Sequence, residues 1–434
     1  MTSFLPGRPV YLVDGLRTPQ LKARGVPGPF HAADLAVVAG RALLLRQPFA
    51  PDRLDEVVFG CVSSGPDEAN IGRVIALRLG CGDRVPAWTV QRNCASGMQA
   101  LDAAAKDIAL GRADLVLAGG TEAMSHHPVL LNERMVVWLA QFNKAKTLPQ
   151  KLAALARLRG PHLVPVIGLL RGLTDPVVGL SMGQTAEELA WRFDITRGAM
   201  DAFALQSHQR LARAVESGTL ADEIVPLFAD GTAIEHDDGL RADSDMAQLA
   251  KLQPVFDPRY GRVTAGNSAQ VSDGAACLVL ASEAGLMRYK LKPRARLVDV
   301  AWAGLDPALM GLGPAYAIDE VLARQSLDTT DIDAWEINEA FAAQVLACLA
   351  ALTDPGFCRD ELGREVPYAS IPSERLNPDG GGISLGHPVG TSGARIVLHL
   401  LRTLEAGGRR RGIASLCIGG GQGGAMLIER EDAA

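Results

Sequence analysis

The chain has 434 residues, of which 48% are hydrophobic and 5% aromatic, and its formal net charge is −6. This length predicts about two to four domains of roughly 100–200 residues each. An acidic balance with few aromatic side chains excludes a nucleic-acid-binding protein, because such a protein carries a strongly basic face.

The cysteines argue against both disulfides and metal. The seven, at positions 61, 81, 94, 277, 348, 358 and 417, are odd in number, scattered, and without a C-x-x-C spacing. This pattern predicts neither a disulfide framework nor a zinc site, and it indicates a reducing compartment. The first nine residues lack a basic segment followed by an apolar run, and no run of about 18 apolar residues follows. We therefore expect a cytoplasmic protein with no metal.

Strand-like and helix-like segments alternate from the start of the chain. Residues 10–13 and 56–59 are short apolar runs with β-branched side chains, which predict strands. Residues 31–46 and 95–110 have apolar positions at helical spacing. This alternation predicts layers of helices and strands, an α/β protein.

The chain also contains an approximate internal duplication. Residues 93–97 lead into a helix through 106 and then a strand at 113–118 that ends at two glycines. Residues 386–390 lead into a helix at 391–404 and then a strand at 412–418 that also ends at two glycines. Two similar halves about a pseudo-twofold axis would bring Cys94 and His387 together at paired helix N-termini.

A long insertion, 121–264, is present only in the first half. Its front portion, 129–179, mixes apolar residues with lysines and arginines. One interpretation is a surface that contacts an anionic membrane or a partner protein. The other is an amphipathic helical lid over the protein's own core. Residues 185–193 and 201–217 predict ordinary amphipathic helices.

Three residues have the surroundings of a reactive group. A free cysteine is usually a small buried hydrophobe, but Cys94 follows an asparagine and precedes a helix start, where a thiolate is favoured. His387 lies in the glycine-dense segment 379–390, which is not apolar core, and its predicted role is that of a base. Cys417 precedes three glycines at 419–421. A second thiol there would serve as acid and base for a carbon-bound proton.

A fourth motif follows a predicted strand at 334–336. Asn338 is a candidate to hold a water molecule or a thioester oxygen. For the next residue, Glu339, two roles remain open. It either orients His387 or caps the helix that follows.

These motifs, Asn-Cys-Ala-Ser-Gly, Asn-Glu-Ala-Phe-Ala, Gly-His-Pro and Cys-Ile-Gly-Gly-Gly, resemble in that order those of the thiolase family. Residues 143–147 and 180–187 are most similar to the 3-ketoacyl-CoA thiolase (acetyl-CoA acyltransferase) β subunits of trifunctional β-oxidation complexes. The resemblance implies a duplicated five-layer αβαβα fold. Residues 1–120 and 265–290 would form the N-terminal half, 121–264 an inserted loop domain that binds CoA, and 291–434 the C-terminal half.

The resemblance also implies a ping-pong mechanism without a bound cofactor, in which CoA is a substrate. His387 would accept the proton of Cys94, which attacks the 3-keto carbon, and Cys417 would protonate the departing acetyl-CoA carbanion. One oxyanion site would consist of His387 and a water molecule on Asn338. The other would consist of the backbone N–H groups of Cys94 and Gly419.

Contacts to CoA are carried over from the family position by position. The substrate-binding residues implied in this way are Arg241, Ser268, Met182, Met310 and Phe341. Two positions depart from short-chain thiolases: Ala269 stands at the place of their CoA-contacting serine, beside Ser268, and Ser181 stands at the place of a pantetheine-loop histidine. These departures weaken the case for short-chain specificity.

The favoured function is therefore acetyl-CoA C-acyltransferase activity in fatty-acid β-oxidation. The alternatives are a biosynthetic acetoacetyl-CoA thiolase, a condensing ketosynthase and a mainly scaffolding subunit. A ketosynthase would carry a histidine where Cys417 stands, and the intact reactive residues argue against a scaffold. The partners implied are 3-ketoacyl-CoA and CoA, a second copy in a homodimer, and a hydratase/3-hydroxyacyl-CoA dehydrogenase α subunit. Peripheral membrane contact follows from the first interpretation of the insertion.

Overall fold

A computed structural model describes residues 7–431. The expectation about the start of the chain falls largely on residues 1–6, which lie outside this range. The strands within it are β1 (Val10–Arg17), β2 (Leu21–Lys22), β3 (Glu56–Gly60), β4 (Ala87–Val90), β5 (Leu115–Ala123), β6 (Val129–Leu130), β7 (Val166–Ile167), β8 (Leu227–Ala229), β9 (Thr232–Ile234), β10 (Ser272–Ser282), β11 (Ala295–Gly304), β12 (Ala334–Ile337), β13 (Arg411–Ile418) and β14 (Gln422–Arg430).

The helices surround these strands. They are α1 (Ala32–Leu45), α2 (Ile71–Arg78), α3 (Ser96–Ala109), α4 (Glu133–Lys144), α5 (Leu148–Leu155), α6 (Gly168–Gly172), α7 (Met182–Arg192), α8 (Arg197–Glu216), α9 (Met246–Ala250), α10 (Glu283–Tyr289), α11 (Gly313–Gln325), α12 (Ala342–Thr353), α13 (Pro355–Glu361), α14 (Gly382–Leu385) and α15 (Val389–Ala406). Among the helices of residues 7–431, none is both long enough and apolar enough to cross a membrane.

The main sheet shows the duplication in its pairing. Its strand order is β12-β13-β14-β11-β1-β10-β5-β3-β4, with β2 added beside β10. In the first half β1 pairs antiparallel with β10, β10 antiparallel with β5, and β5 parallel with β3. In the second half β11, β14, β13 and β12 repeat this antiparallel, antiparallel, parallel sequence. The two halves join where β1 pairs with β11.

Helices α3 and α15 lie side by side between the two halves of the sheet. Helix α15 contacts strands of both halves, whereas α3 packs on strands of the first half and reaches the second through a hydrogen bond from Trp302 to Asp102. Nearly every residue of α15 is buried, because it is surrounded by apolar neighbours rather than packed on one face. Helices α1 and α2 cover the outer face of the first half, and α11 and α12 cover that of the second. The five-layer αβαβα arrangement expected from the sequence is confirmed.

One detail of the predicted repeat is wrong. The first pair of glycines was expected to end a strand, but β5 continues through Gly119 and Gly120 to Ala123. A Cβ on Gly120 would lie only 2.0 Å from the carbonyl oxygen of Gly390, so this glycine permits close packing against the start of α15. The second pair does form a turn, in which Gly420 and Gly421 have φ of +91° and +76°.

The first part of the insertion packs on itself, and a later part contributes to the cavity that contains Cys94. Helices α4 and α5 pack on each other, and the indole N–H of Trp138 donates a hydrogen bond to the carbonyl oxygen of Ala154 at 2.9 Å. Farther along, α6 and the residues after it reach back over the main sheet, where Leu173 and Thr174 line the cavity that contains Cys94. This later part therefore forms one wall of that cavity.

Candidate active site

Cys94 lies in a tight turn between β4 and α3. Asn93 has a φ of +43°, a left-handed conformation that asparagine tolerates better than most residues. The Ser96 hydroxyl closes the turn, because it accepts a hydrogen bond from the Arg92 N–H at 2.9 Å and donates one to the Asn93 carbonyl oxygen at 2.7 Å. The side-chain amide of Asn93 also donates to the Gly419 carbonyl oxygen at 2.8 Å. The turn is thereby fixed to the second half of the protein.

Cys94, His387 and Cys417 all line one cavity of about 300 Å³, which we term the first cavity. Cys94 is half-buried, whereas Cys417 is 1% exposed. The two cysteines come from opposite halves of the chain and His387 from the loop before α15. The cavity therefore exists only because the two halves pack together.

His387 is oriented by its own helix. The imidazole Nδ1 lies 2.6 Å from the Ser392 hydroxyl oxygen in the first turn of α15. The preceding residue, Gly386, has a φ of +114°, and a Cβ on it would collide with the Ser272 hydroxyl oxygen at 2.2 Å. The side-chain nitrogen of Asn338 lies 3.5 Å from each ring nitrogen of His387, so Asn338 reaches the site through the imidazole.

Burial and neighbouring groups shift the pKa values of Cys94, Cys417 and His387. Burial raises the pKa of the Cys94 thiol, and hydrogen bonds to its sulfur from the N–H groups of Gly419 and Cys94 act in the opposite direction. Burial and the neighbouring Cys94 raise the pKa of Cys417 well above its ordinary value. Burial, together with the charge of Arg395, lowers the pKa of His387 to about 4. At neutral pH the site therefore contains two thiols and a neutral imidazole that can accept a proton.

Neither role considered for Glu339 matches its position. Its carboxylate accepts hydrogen bonds from the Ser207 hydroxyl at 2.6 Å and the Asn377 side-chain amide at 2.9 Å. The partner of His387 is Ser392 instead, and the following helix, α12, has Phe341 as its N-cap. Glu339 thus fastens helix α8 to the loop before α14, because a buried carboxylate needs hydrogen-bond donors wherever they are available.

The predicted substrate-binding residues divide into two groups. Met182, Ser268, Met310 and Phe341 line the first cavity. Arg241 does not, and it lies half-buried with its backbone N–H donating to His208 Nδ1 at 3.2 Å. Burial and the positive charges of Arg241 and Arg24 lower the pKa of Lys22. Arg241 thus belongs to a basic group outside the cavity.

A second cavity of about 260 Å³ meets the first at Cys94 and Met182, and Asn93 and Gly419 line it. Gly419 is therefore on the opposite side of Cys94 from Ser268 and Phe341. A Cβ on Gly419 would lie 3.2 Å from the Met182 sulfur, so a larger residue there would crowd the junction of the two cavities.

Sequence reasoning missed Glu122, which is buried beside the site. One carboxylate oxygen accepts the N–H groups of Val62 at 2.9 Å and Gly390 at 3.0 Å, and the other accepts that of Ser63 at 3.1 Å. Burial raises the pKa of Glu122 to about 7. Because Gly390 follows His387 by three residues, this carboxylate ties the start of α15 to the loop after β3. The signal in the sequence that could have identified Glu122 is that it is the charged residue of a mostly apolar strand, β5.

We expect Glu122→Gln to lower the free energy of unfolding by about 1–3 kcal/mol, because an amide has one acceptor oxygen and cannot satisfy all of these donors. Urea denaturation measures this change. Asp67→Asn, at an exposed carboxylate a few residues after Val62 and Ser63, is the matched control and should leave the unfolding free energy unchanged. Equal stability of the two variants would contradict the tying role of Glu122.

Within residues 7–431, no group of three or more His, Cys, Asp or Glu side chains is arranged to hold a metal ion. The fold, with two thiols and an imidazole at one cavity, is that of an acyltransferase. Residues 10–284 match the family model "Thiolase, N-terminal domain", and residues 291–430 match "Thiolase, C-terminal domain". The chain belongs to the thiolase family.

Three relatives illustrate the range of this similarity. The "Beta-ketoadipyl-CoA thiolase" of Pseudomonas aeruginosa is 41% identical, and the match covers 98% of this chain and 99% of the relative. The "Trifunctional enzyme subunit beta, mitochondrial" of Bos taurus is 37% identical, with 97% and 88% covered. The crystal structure of human mitochondrial 3-ketoacyl-CoA thiolase in complex with CoA is 35% identical, with a TM-score of 0.84 and 99% of both chains covered.

Proposed function

We propose that this protein is an acetyl-CoA C-acyltransferase, a 3-ketoacyl-CoA thiolase of fatty-acid β-oxidation. It cleaves 3-ketoacyl-CoA with CoA and yields acetyl-CoA and an acyl-CoA that is two carbons shorter. The observation that carries the proposal is the meeting of Cys94, His387 and Cys417 in one cavity. The human relative, a mitochondrial 3-ketoacyl-CoA thiolase in complex with CoA, supports the choice of substrate.

The first half-reaction breaks a carbon–carbon bond. Neutral His387 takes the proton of Cys94, and the thiolate attacks the 3-keto carbon. The bond between carbons 2 and 3 then breaks, and carbon 3 remains as an acyl thioester on Cys94. The electron pair of the broken bond goes to carbon 2, which takes the proton of Cys417 and leaves as acetyl-CoA.

The second half-reaction restores the enzyme. The thiol of CoA gives its proton to the Cys417 thiolate and attacks the acyl thioester, and the Cys94 thiolate leaves and recovers its proton from His387. The N–H groups of Gly419 and Cys94 that meet at the sulfur are suited to stabilise an oxyanion there. Protonated His387, with a water molecule held by Asn338, stabilises the negative charge that develops on the other carbonyl oxygen of the substrate. One such donor contributes roughly 10²–10³-fold to the rate.

CoA is a substrate in this scheme, and no cofactor is needed. Ser268, Met310 and Phe341 line the first cavity, and we assign them to the narrow, mostly apolar pantetheine arm. In the basic group of Lys22, Arg24 and Arg241, Arg24 is paired with Asp238 at 2.8 Å. The remaining positive charge is suited to the phosphates of the nucleotide end. The substrate would thus enter past Arg241 and reach Cys94 through the first cavity.

Thiolysis of saturated 3-ketoacyl-CoA substrates of four to sixteen carbons tests this function. We expect CoA-dependent release of acetyl-CoA from substrates longer than acetoacetyl-CoA, measured by liquid chromatography and mass spectrometry. Activity restricted to acetoacetyl-CoA would instead indicate the biosynthetic acetoacetyl-CoA thiolase. Absence of thiolysis with every substrate would contradict the proposal.

The segment from 129 to 179 supports a proposal about partners. It carries seven lysines and arginines against two acidic residues, in a chain of net charge −6. Thirteen of the 25 large hydrophobic side chains exposed in residues 7–431 belong to it, including those of Val136, Val137, Leu148 and Leu152. A surface that is both apolar and basic is typical of a docking site. We propose that it binds a hydratase/3-hydroxyacyl-CoA dehydrogenase subunit, as the trifunctional β-subunit relative suggests, in a cytoplasmic assembly built on a homodimer.

Co-purification with a co-expressed partner subunit tests this surface. Loss of the complex in a Val136→Asp, Val137→Asp double variant that keeps its thiolysis would support the proposal. Sedimentation with anionic vesicles in place of partner binding would assign the same surface to peripheral membrane contact.

A further inference from the structure

The two cavities at Cys94 divide the substrate between them, if the proposed function holds. Ser268 and Phe341, which we assign to the pantetheine arm, line only the first cavity. Asn93 and Gly419 line only the second. A substrate that enters through the first cavity and has its keto carbon at Cys94 therefore directs the remainder of its acyl chain into the second.

The wall of the second cavity is mainly apolar. Its apolar members come from the loop after β3, from the turn after β5, from the rest of the insertion and from the start of α15: Val62, Met124, Leu169, Leu173, Pro176, Val177, Met182 and Val389. No lysine or arginine is among the residues that line it. Such a wall is best suited to bind a saturated hydrocarbon chain.

Asp175 is the acidic residue in this wall. It is 3% exposed, and its Oδ1 accepts the N–H groups of Val177 at 2.8 Å and Val178 at 3.1 Å. The other polar side chain of note is His127, whose ring nitrogens are buried without hydrogen-bond partners in the described residues. Burial lowers the pKa of His127, so at neutral pH it is an uncharged imidazole and not a counter-ion. The carboxylate of a substrate in this cavity would therefore lie near the Asp175 carboxylate, and no lysine or arginine among the lining residues would neutralise it.

We propose that the second cavity binds the acyl chain of an uncharged 3-ketoacyl-CoA and that Asp175 rejects chains that end in a carboxylate. The specificity then differs from the one named for the Pseudomonas aeruginosa relative, because the β-ketoadipyl group ends in a carboxylate. Juxtaposed like charges at a binding surface are a common device for rejecting the wrong ligand.

The charge of Asp175 is tested with two substrates of equal chain length, 3-ketohexanoyl-CoA and 3-ketoadipyl-CoA, which differ at the chain end. We expect the wild type to favour 3-ketohexanoyl-CoA in kcat/KM by at least about tenfold. Asp175→Asn keeps Oδ1 as the acceptor for Val177 and Val178 but removes the charge. It should reduce this preference roughly tenfold, chiefly by improving kcat/KM for 3-ketoadipyl-CoA.

Glu133→Gln, at an exposed acid of the same segment, is the matched control and should leave the preference unchanged. A wild type that prefers 3-ketoadipyl-CoA would overturn the proposal. An Asp175→Asn variant whose preference equals that of the wild type would do so as well.

The position of the substrate's acyl chain is tested separately with substrates that differ in chain length. Leu169→Trp fills part of the second cavity. We expect it to lower kcat/KM for 3-ketooctanoyl-CoA at least about tenfold more than for acetoacetyl-CoA. Leu163→Trp, at an exposed leucine of the same segment that lines neither cavity, is the control. An equal loss for both substrates in Leu169→Trp would place the chain elsewhere. Absence of thiolysis in the wild type with every substrate would refute the proposed function itself, which is a distinguishable outcome.

Discussion

Replacing Cys94 with alanine is expected to lower kcat for thiolysis by at least about 10⁴-fold, because no acyl thioester forms without the sulfur. Cys94 is half-buried at the meeting point of two cavities, so its removal changes little of the core. Thermal unfolding should therefore occur close to the wild-type Tm. The measurement is thiolysis of 3-ketooctanoyl-CoA, followed by the decrease of the substrate and the appearance of acetyl-CoA.

Cys81→Ala is the matched control for loss of a thiol. Cys81 is buried in the outer core of the first half, away from both cavities, and burial raises its pKa to about 11. This variant should retain its kcat, even if its Tm falls. Thiolysis in Cys94→Ala that is within tenfold of the wild type would remove Cys94 from the mechanism.

The second large effect is expected in Cys417→Ala, where cleavage of the carbon–carbon bond should fail but transfer of an acyl group between thiols should continue. Without the Cys417 proton, the carbanion that leaves as acetyl-CoA has no acid beside it, and we expect thiolysis to slow by about 10²–10⁴-fold. Exchange of labelled CoA into acyl-CoA involves no carbanion. Exchange starts from the enzyme with neutral His387, which takes the proton of Cys94 and passes it to the departing CoA, so Cys417 is not needed and the rate should remain within about tenfold of the wild-type rate.

The comparison of the two variants separates their roles. Cys94→Ala should lose both thiolysis and CoA exchange, whereas Cys417→Ala should lose only thiolysis. If Cys417→Ala lost exchange to the same degree as Cys94→Ala, Cys417 would have to act on the thioester itself. If it kept full thiolysis, another group would supply the proton.

The repeat in the sequence predicted two similar halves and the meeting of Cys94 and His387, whereas the five-layer arrangement followed from the family resemblance. The segments that begin at 93 and 386 each start a helix, and these helices became the neighbours α3 and α15 between the two halves of the sheet. Glycines beside each reactive residue indicated close backbone approach, and Gly386 and Gly420 indeed have positive φ. Such local patterns survive folding because they depend on the backbone of a few consecutive residues.

Contacts between distant segments were not predictable in the same way. Glu122 binds backbone N–H groups from two other segments, and Glu339 binds Ser207, which is 132 positions away. No periodicity or spacing in one sequence records such pairs. The wall of the second cavity was unpredictable for the same reason, because only the tertiary fold brings Leu169 and Asp175 of the insertion to Cys94.

The central claim is that Cys94 carries the acyl group between the two half-reactions. Incubation of the enzyme with 3-ketooctanoyl-CoA in the absence of CoA, followed by acid quenching and mass spectrometry of peptides, tests it directly. We predict a hexanoyl group on the peptide that contains Cys94, together with one equivalent of acetyl-CoA, and loss of the label when CoA is added. A hexanoyl group on a different cysteine, or full turnover with no acylated peptide, would contradict the account.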